Sequence, residues 1–555
     1  MKNMCAYDKL YKAALCRAQA DWLIGMNATR LYSLLYGPTL HIGRVMTPTL
    51  AMITERESAI QDFCSETFYT IKLDCESGVI AHSERIHDLG DARRITDACN
   101  REHAFVTKIE HKTRTENPPL LYDLTTLQRD ANKLFGYTAQ QTLEYAQKLY
   151  ENQLLTYPRT DSRYLTHDAQ GMIPELATRV CNAMPFSAGM NLNFSVSRVI
   201  NDSKVSDHHA IIPTAAMPGA ITSVNSLTTG EYDLLKLVCT RMLCALEEPY
   251  EEDETTVTIS CAGSNFKMMG KRVIKMGWKR IWHSFRGSVG SRLADDEKED
   301  MLSIPEHVKE GLEFPFPKAE IDEGHTVPPE HHTEASILHA METAGIEDMP
   351  ENAERKGIGT PATRAAILEK LIETRLIERV GERRKKTLIP TAMGKALVSV
   401  LPEKLLSPQL TAEWEQRLKQ IEKGEETPEA FMQDIRSLTE ELMRETKRAV
   451  NAEQLFPPLR EKLGSCPKCG AAVTERAKGF MCENRTCGFA LWKSTGILTN
   501  AEKPLNSGDV KELLDKGFVR KTGLRSMKNH ARYDATLYLD YNKDGKPILR
   551  PTFDK

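Results

Sequence analysis

The sequence lacks any run of about 18 or more apolar residues, the length that a membrane-spanning helix requires. Its first residues, MKNMCAYDKLYKAAL, also lack the apolar core and small-residue cleavage site of a secretory signal. No internal repeat or extended low-complexity tract occurs. These absences lead us to expect a multidomain cytoplasmic protein with no membrane partner.

Neither sign of charge is in large excess, because the chain has 74 Lys and Arg residues and 77 Asp and Glu residues, with a net charge of −3. Composition alone therefore does not indicate a nucleic-acid partner. Basic residues do cluster locally, and such runs usually form solvated faces, with phosphate binding as the alternative. The clusters are Lys271, Arg272, Lys275, Lys279 and Arg280, then Arg383, Arg384, Lys385 and Lys386, and finally Lys516, Arg520, Lys521, Arg525, Lys528 and Arg532.

Most of the 13 cysteines are scattered singly, which favours reduced thiols over a disulfide framework. Four of them instead form two pairs, Cys466 with Cys469 and Cys482 with Cys487. Two cysteine pairs at this spacing can place four thiolates around one Zn²⁺ in a closed, structural site. The alternative is a ribbon that keeps its fold without metal. We expect structural zinc held by all four cysteines.

Hydrophobic periodicity predicts an order of helices, strands, helices, strands and helices along the chain. Strands are predicted in TFYTIKLDC and AFVTKIEHKT, and again between residues 250 and 280. Two helices separated by Gly136 and capped by Thr138 lead into the segment QLLTYPRTDS. Further helices are predicted over residues 361–380 and 428–450. Strands that flank a helical insertion suggest domains built from discontinuous stretches.

The segment LLTYPRTDS places a tyrosine where the chain leaves a buried stretch. Pro158 restricts Tyr157 to extended geometry, and Arg159 then points to the same side as Tyr157. A nucleophilic phenol needs a nearby positive charge or base, and an arginine can also hold a phosphate. From the residues alone, however, a Tyr-Pro-Arg sequence is more often only a turn.

The stretch LYENQLLTYPRTDS resembles the catalytic-tyrosine segment of type IA DNA topoisomerases, and is most similar to the bacterial topoisomerase III branch. Other segments resemble the same family in the same order, and the cysteine-bearing segment resembles its C-terminal zinc tail. The likeness covers nearly the whole chain. The other segments are DWLIGMNATRLYSLLYG, HIGRVMTPTLAMITERE, SDHHAIIPT, KGIGTPATRAAIL and TAMGKALVSVLPEKLLSPQLTAEWE.

The resemblance implies an α+β multidomain protein, in which discontinuous helical and β domains form a toroidal clamp followed by a zinc ribbon. It implies the following segments: 1–60 and 327–455 for the helical clamp base, 61–117 and 250–326 for a β arch, 118–249 for the helical domain with the tyrosine, and 456–555 for the ribbon and a basic C-terminal module.

The resemblance also implies roles for individual residues. Tyr157 would attack a backbone phosphate and hold the 5′ phosphate covalently, Arg159 would position that phosphate, and His208 would assist beside the nucleophile. A structural role for His208 is the alternative. Arg44 and Thr363 would contact the DNA backbone. The family usually has glutamine where this chain has Met46, which puts this wall of the DNA groove in doubt.

The implied reaction is reversible breakage and rejoining of one strand of single-stranded or negatively supercoiled DNA, without ATP, since no Gly-x-x-x-x-Gly-Lys-Ser/Thr loop occurs. The family also has a Toprim domain whose carboxylates bind Mg²⁺, and the sequence shows no such acidic motif before the resemblance begins. We therefore expect either a separately encoded Toprim partner, as in a split enzyme, or a fragment that binds single-stranded DNA without cleaving it. A tyrosine recombinase is disfavoured, because its tyrosine lies near the C-terminus.

Overall fold

A computed structural model shows the chain as two compact units. The first comprises the N-terminal stretch to Ala28 together with His41–Arg444, and the second comprises Thr29–Leu40 together with Glu445–Lys555. No described helix is both long and apolar enough to cross a membrane. The structure describes residues 7–76, 78–205, 207–217, 227–290, 304–345, 357–382, 385–457, 461–484, 486–494, 498, 504–525, 532–543 and 545–553.

The helices start where the sequence offers caps, as at Thr138, whose side chain accepts from the backbone N–H of Gln141 in a reciprocal capping box. In chain order the described helices are α1 (Asp8–Tyr36), α2 (Met46–Gln61), α3 (Leu89–Cys99), α4 (Leu124–Phe135), α5 (Ala139–Glu151), α6 (Ile173–Ala183), α7 (Thr229–Leu246), α8 (Lys279–Val289), α9 (Glu334–Thr343), α10 (Pro361–Glu373), α11 (Ala392–Val400), α12 (Glu403–Leu406), α13 (Pro408–Lys423), α14 (Pro428–Glu445), α15 (Ala452–Leu455) and α16 (Ser507–Lys516).

The strands form four antiparallel sheets among the described residues. In chain order they are β1 (Thr67–Asp74), β2 (Ile80–His82), β3 (Ala104–Glu116), β4 (Tyr250–Cys261), β5 (Ser264–Lys275), β6 (Glu313–Phe314), β7 (Lys318–His325), β8 (Ile377–Val380), β9 (Thr387–Pro390), β10 (Lys462–Ser465), β11 (Ala472–Glu475), β12 (Gly479–Cys482), β13 (Ala490–Trp492), β14 (Phe518–Arg525), β15 (Arg532–Tyr541) and β16 (Pro547–Phe553).

The largest sheet has the strand order β6-β3-β4-β5-β2-β1-β7 and draws its strands from two distant stretches of the chain. The pairing of β3 with β4 joins Ala104 to Cys261 and Glu116 to Tyr250. All the chain between these two strands, including α4 to α7, is therefore an insertion that leaves the sheet and returns to it. The fully buried side chains of the large sheet include Ile71, Val257 and Phe266.

The inserted helices α4 to α7, together with α8, enclose a second core. Leu127 and Ala131 of α4 are fully buried there, as are Ala146 and Leu149 of α5. The helix predicted before Gly136 is thus confirmed, and Gly136 is its C-cap. This core lies directly under the segment that carries Tyr157, because Leu154 and Leu155 belong to it.

The predicted helix over residues 361–380 is wrong in its last part. Helix α10 ends at Glu373, Arg375 follows with a φ of +58°, and residues 377–380 form β8 paired with β9. The apolar residues of this stretch fit the period of a helix as well as that of a strand, and Arg375, in the left-handed region, stops the helix. The helix predicted over residues 428–450 ends earlier, at Glu445.

Tyr122 anchors the insertion from inside. Its ring is fully buried, its hydroxyl donates to Asp130 at 2.7 Å, and the Arg241 guanidinium lies 4.2 Å from the ring centroid. Burial raises the pKa of Tyr122 well above its ordinary value, so the hydroxyl stays protonated and keeps donating. The Tyr122 carbonyl accepts from the backbone N–H of Ile211 at 2.8 Å. Tyr122 thereby fastens the histidine segment to α4.

Replacing Tyr122 tests this anchor. Tyr122→Ala should lower the free energy of unfolding of the first unit by about 3–5 kcal/mol, because it leaves a large cavity. Tyr122→Phe keeps the ring and should cost only about 1 kcal/mol, the value of one hydrogen bond. Urea unfolding followed by circular dichroism measures both. Equal losses for the two variants would contradict a packing role for the ring.

Candidate active site and metal centre

Tyr157 lies where the chain emerges from the helical core. Helix α5 ends at Glu151, Gln153 turns the chain with a φ of +59°, and the backbone then pairs with the segment 210–214. The backbone N–H of Thr156 donates to the Ile212 carbonyl at 3.0 Å, and that of Thr214 donates to the Leu154 carbonyl at 3.0 Å. These bonds hold the half-buried Tyr157 at the surface of a rigid support.

The structure brings His208 to the same place. The rings of Tyr157 and His208 lie 4.5 Å apart between centroids and are inclined at 47°. The Thr160 hydroxyl donates to the His208 carbonyl at 2.8 Å, so the tyrosine loop itself holds the histidine backbone. The ring of Tyr150, on the last turn of α5, contacts Tyr157 edge-on at 5.4 Å. Tyr157 and His208, which are 51 positions apart, thus form one aromatic cluster.

Arg159 is exposed two residues beyond Tyr157 and makes no ion pair within the described part of the chain. Between them, Pro158 is buried and holds the turn. An exposed guanidinium on this loop keeps its donors available for a phosphate oxygen. Its side chain is therefore accessible to solvent.

The sequence analysis did not predict the ion-pair network beneath the loop that carries Tyr157. Arg163 donates to Asp123 at 2.7 Å and to Glu342 at 3.1 Å, and so connects the tyrosine loop to α4 and α9. Asp123 also caps α4 by accepting from the backbone N–H of Thr126 at 2.7 Å. The cap at Asp123, directly before a helical pattern, was the available signal. The pairing with Arg163 and Glu342 had no signal, because these residues are distant in sequence.

Thr363 lies in the first turn of α10, where its hydroxyl and that of Thr360 are 3.1 Å apart. It lines a cavity of 1220 Å³ that Arg44 and Asp161 also line. The next residue, Arg364, is buried and donates to the Ile358 carbonyl and the Thr125 hydroxyl at 3.1 and 3.0 Å. Burial lowers the pKa of Arg364, and its role is to hold α10 against α4.

Arg44 lines the same cavity but is already engaged. Its side chain is 6% exposed and pairs with Asp21 at 2.8 Å and Glu415 at 3.0 Å, while the guanidinium lies 5.3 Å from the Trp414 ring centroid. Burial opposes the charge of Arg44, but the two carboxylates outweigh it and raise the pKa. A phosphate would have to compete with both carboxylates for this guanidinium. Met46, which stands where the family usually has glutamine, is the first residue of α2, two positions after Arg44.

The four predicted cysteines meet in the second unit, at the sheet of β10 to β13. Their four Sγ atoms lie within 4.8 Å of one another, with Cys466 and Cys487 at 3.6 Å and Cys469 and Cys482 at 3.5 Å. A tetrahedron with Zn–S bonds of about 2.3 Å has sulfur–sulfur edges of about 3.8 Å, so the set fits. Hydrogen bonds from the backbone N–H of Ala471 and from the neighbouring thiols lower the pKa of the Cys469 thiol to about 7, whereas burial raises the pKa of Cys482.

The four cysteines can therefore bind a metal such as zinc. Within the described ranges, they are the one group of three or more His, Cys, Asp or Glu side chains that could converge on an ion.

Comparison with known proteins places these features in a family. A family model described as DNA topoisomerase matches residues 6–433. The DNA topoisomerase 3 of Bacillus cereus strain ATCC 14579 is 35% identical over 526 residues, which cover 90% of this chain and 69% of the relative. The DNA topoisomerase 3 of Bacillus subtilis strain 168 is 34% identical over 525 residues, with the same coverage of both chains.

A solved structure extends the likeness to the fold. Full-length topoisomerase I from Thermotoga maritima superposes with a TM-score of 0.61, covering 98% of this chain and 78% of that chain at 20% identity. At this identity the likeness concerns the fold, which is a mixed α+β fold in both proteins.

Proposed function

Because this chain belongs to the type IA DNA topoisomerase family, we propose that Tyr157 is its nucleophile, and that the chain breaks and rejoins one DNA strand through a phosphotyrosyl bond. The observation that carries the assignment is the contact of Tyr157 with His208, at 4.5 Å between ring centroids. Backbone pairing makes that contact rigid, as a preorganised nucleophile requires.

The chemistry is a transesterification. The Tyr157 oxygen forms a bond to a backbone phosphorus and gives up its proton, the bond from that phosphorus to the 3′ oxygen breaks, the 3′ oxygen leaves as a hydroxyl by gaining a proton, and the 5′ phosphate stays on the tyrosine. A phenol loses its proton only near pH 10 in water, so attack at neutral pH needs a group that receives the proton or stabilises the charge. His208, whose ring lies 4.5 Å from the Tyr157 ring between centroids, would hydrogen-bond the phenol and hand its proton on. Rejoining is the reverse reaction, and no ATP is consumed.

Arg159 neutralises the phosphate under attack. Charge on the phosphoryl oxygens increases as the tyrosine approaches, and a guanidinium binds such oxygens through two parallel donors. Its exposure on the Tyr157 loop supports this role.

Within the proposed site, the cavity beside α10 is electrostatically the least favourable surface for the phosphates of a DNA strand. Thr363 offers a hydroxyl to a phosphate, and Arg44 offers a guanidinium once Asp21 and Glu415 release it. The cavity that both line carries eight carboxylates and five cationic side chains, so phosphate binding there requires added positive charge. In the family, Mg²⁺ on a Toprim domain supplies such charge.

The nucleophile can be tested by trapping the covalent intermediate. With a Toprim domain supplied separately, Mg²⁺ and labelled single-stranded DNA, Tyr157→Phe should reduce the adduct to background, because a phenyl ring has no nucleophilic oxygen. Denaturing gels and peptide mapping measure the adduct. Tyr150→Phe is the matched control, since its ring lies 5.4 Å from Tyr157, and it should keep the adduct. An unchanged adduct in Tyr157→Phe would refute the assignment.

The four cysteines hold a structural zinc ion. All four ligands are thiols, the Sγ distances fit tetrahedral zinc, and four protein ligands leave no open position for catalysis. Buried Phe480 and Leu491 of β12 and β13 pack beside the site and complete a small core. The ion thus joins two cysteine pairs that the small core alone holds weakly.

Zinc content tests this site directly. Purified protein should contain about one zinc per chain by elemental analysis, since one four-thiolate site holds one ion. Cys482→Ser should lower the zinc content well below one equivalent, whereas Cys64→Ser, which changes an exposed cysteine elsewhere, should leave it unchanged. Metal-free protein with all four thiols reduced would contradict the proposal.

A Toprim domain docks on the exposed apolar face of α1. The matched relatives extend beyond the part that this chain covers, which is 69% of their length. Helix α1 presents large apolar side chains to solvent at helical spacing, and such a face is characteristic of an interface. The exposed side chains are Leu10, Tyr11, Leu15, Trp22 and Met26.

Plasmid relaxation separates this view from its alternative, a fragment that only binds DNA. The chain alone, with Mg²⁺, should bind single-stranded DNA yet leave a supercoiled plasmid unrelaxed, and a separately supplied Toprim domain should restore relaxation. The reason is the excess of carboxylates in the cavity beside Thr363, which added positive charge would offset; one preorganised electrostatic group typically contributes about 10²–10³ in rate.

The docking face has its own control in the same assay. Trp22→Glu should abolish the rescue by a Toprim domain, whereas Leu34→Glu, at a position of α1 that is 82% exposed, should not. Robust relaxation by the chain alone would refute the need for a Toprim partner. A full chain that binds DNA but is never rescued would favour the binding-only alternative.

A further inference from the structure

The loop that carries Tyr157 begins as one strand of an antiparallel pair, but its sequence prevents the pairing from continuing. The backbone N–H of Thr156 donates to the Ile212 carbonyl at 3.0 Å, and in an antiparallel pair such bonds recur at every second residue. The next bond would therefore run from the N–H of residue 158 to the carbonyl of Ala210. Residue 158 is a proline, which has no N–H, so the Ala210 carbonyl has no backbone donor at this position.

The hydroxyl of Thr156 replaces this missing donor. It donates to the Ala210 carbonyl at 3.1 Å and also accepts from the backbone N–H of Ile212 at 3.0 Å. One oxygen atom thus makes two bonds that a continuous ladder would divide between two backbone groups. Ala210 is fully buried, and a buried carbonyl without a donor is costly. The hydroxyl therefore allows a proline to follow Tyr157 without loss of the pairing.

Thr160 repeats this arrangement on the other side of the proline. Its hydroxyl donates to the His208 carbonyl at 2.8 Å and accepts from the backbone N–H of Ser162 at 3.1 Å. The Thr160 carbonyl in turn accepts from the backbone N–H of Leu124, the first residue of α4, at 3.1 Å. Thr160 is buried, so water does not compete for these bonds. The loop thereby holds the His208 backbone from a position three residues beyond Tyr157.

The backbone position of His208 decides where its ring lies. The side chain is exposed, and its ring contacts the Tyr157 ring at 4.5 Å between centroids. An exposed side chain can change rotamer, so the location of its backbone limits which partners its ring can reach. The two threonine hydroxyls bind the carbonyls of His208 and Ala210. The contact between the two rings therefore depends on two side-chain hydroxyls in place of a continuous backbone ladder.

We propose that Thr156 and Thr160 are positioning residues for strand breakage, and that their hydroxyls hold His208 against Tyr157. The proposal rests on the proposed function, in which Tyr157 is the nucleophile and His208 receives its proton. Each threonine acts through the His208 segment and not on the phosphate. The requirement is for a hydroxyl on each side of the proline. Serine should therefore replace threonine at both positions, whereas valine, which has the shape of threonine but no hydroxyl, should not.

The position of the His208 ring can be followed by NMR in the full chain, without DNA or a Toprim domain. In protein isotope-labelled at the histidine Cε1 carbons, the His208 signal is identified by its loss in His208→Ala. Thr156→Val and Thr160→Val should move this signal towards that of a freely exposed histidine, because the ring leaves Tyr157. Both serine variants should keep it in place. An unmoved signal in both valine variants would overturn the proposal.

The rate of adduct formation shows whether the hydroxyls act through His208. With a Toprim domain supplied separately, Mg²⁺ and labelled single-stranded DNA, each valine variant should form the covalent adduct about 2- to 10-fold more slowly, the range expected for one lost hydrogen bond. In a His208→Ala chain the same substitutions should have no further effect, because the group that they position is absent. Losses that multiply would show that the threonines act on Tyr157 or on the fold, and would refute the positioning role.

Thr142→Val is the matched control. Thr142 is fully buried in α5, and its hydroxyl donates to the Thr138 carbonyl at 2.9 Å, so this substitution also removes one buried hydroxyl bond. It should leave both the His208 signal and the adduct rate unchanged. Circular dichroism verifies that each variant is folded. Thr156 is only half-buried, so its valine variant keeps the test available if Thr160→Val does not fold.

The outcomes separate this proposal from the proposed function. An adduct that persists in Tyr157→Phe would refute the nucleophile, whereas a moved His208 signal would still show that the hydroxyls hold this histidine. An adduct that depends on Tyr157 but forms equally fast in the wild type and in both valine variants would overturn the positioning role alone. A His208→Ala chain as fast as the wild type would remove His208 from the reaction, and the positioning role with it.

Discussion

Backbone pairing between the tyrosine loop and the segment 210–214 holds the candidate active site together. Thr156 exchanges hydrogen bonds with Ile212 and also donates to the Ala210 carbonyl, while Thr160 holds the His208 carbonyl. Main-chain bonds define position more firmly than contacts between long side chains, since fewer rotatable bonds intervene. The aromatic contact between Tyr157 and His208 depends on them, and so does every chemical role assigned to that pair.

The support beneath this pairing is both apolar and ionic. Leu154 and Leu155 anchor the loop in the helical core, and Arg163 joins it to Asp123 and Glu342. The ion pairs are partly buried, so loss of one partner would leave an uncompensated charge and cost more than the pair itself contributes. The loop is thereby kept in one position relative to α4 and α9, while Arg159 remains exposed on its surface.

Arginine side chains differ in exposure between the two units. In the first unit, Arg44 and Arg364 are buried by carboxylates, hydroxyls and carbonyls, so their charge serves packing as the structure stands. In the second unit, Arg520 and Arg550 stay exposed beside aromatic rings. The near-neutral composition therefore does not show which cations are exposed, because the fold decides that for each side chain.

Local sequence determined α4, α5, strands β1, β3, β4 and β5 of the large sheet and the spacing of the four cysteines, because periodicity, caps and ligand spacing act over a few residues. It also indicated Tyr157 through its neighbours Pro158 and Arg159. It failed at residues 377–380, where a pairing with β9 overrides helical propensity. Only tertiary structure placed His208 against Tyr157, engaged Arg44 with Asp21 and Glu415, and turned Lys521 inward while Arg520 faces outward. Those outcomes depend on contacts between distant segments, which no local pattern encodes.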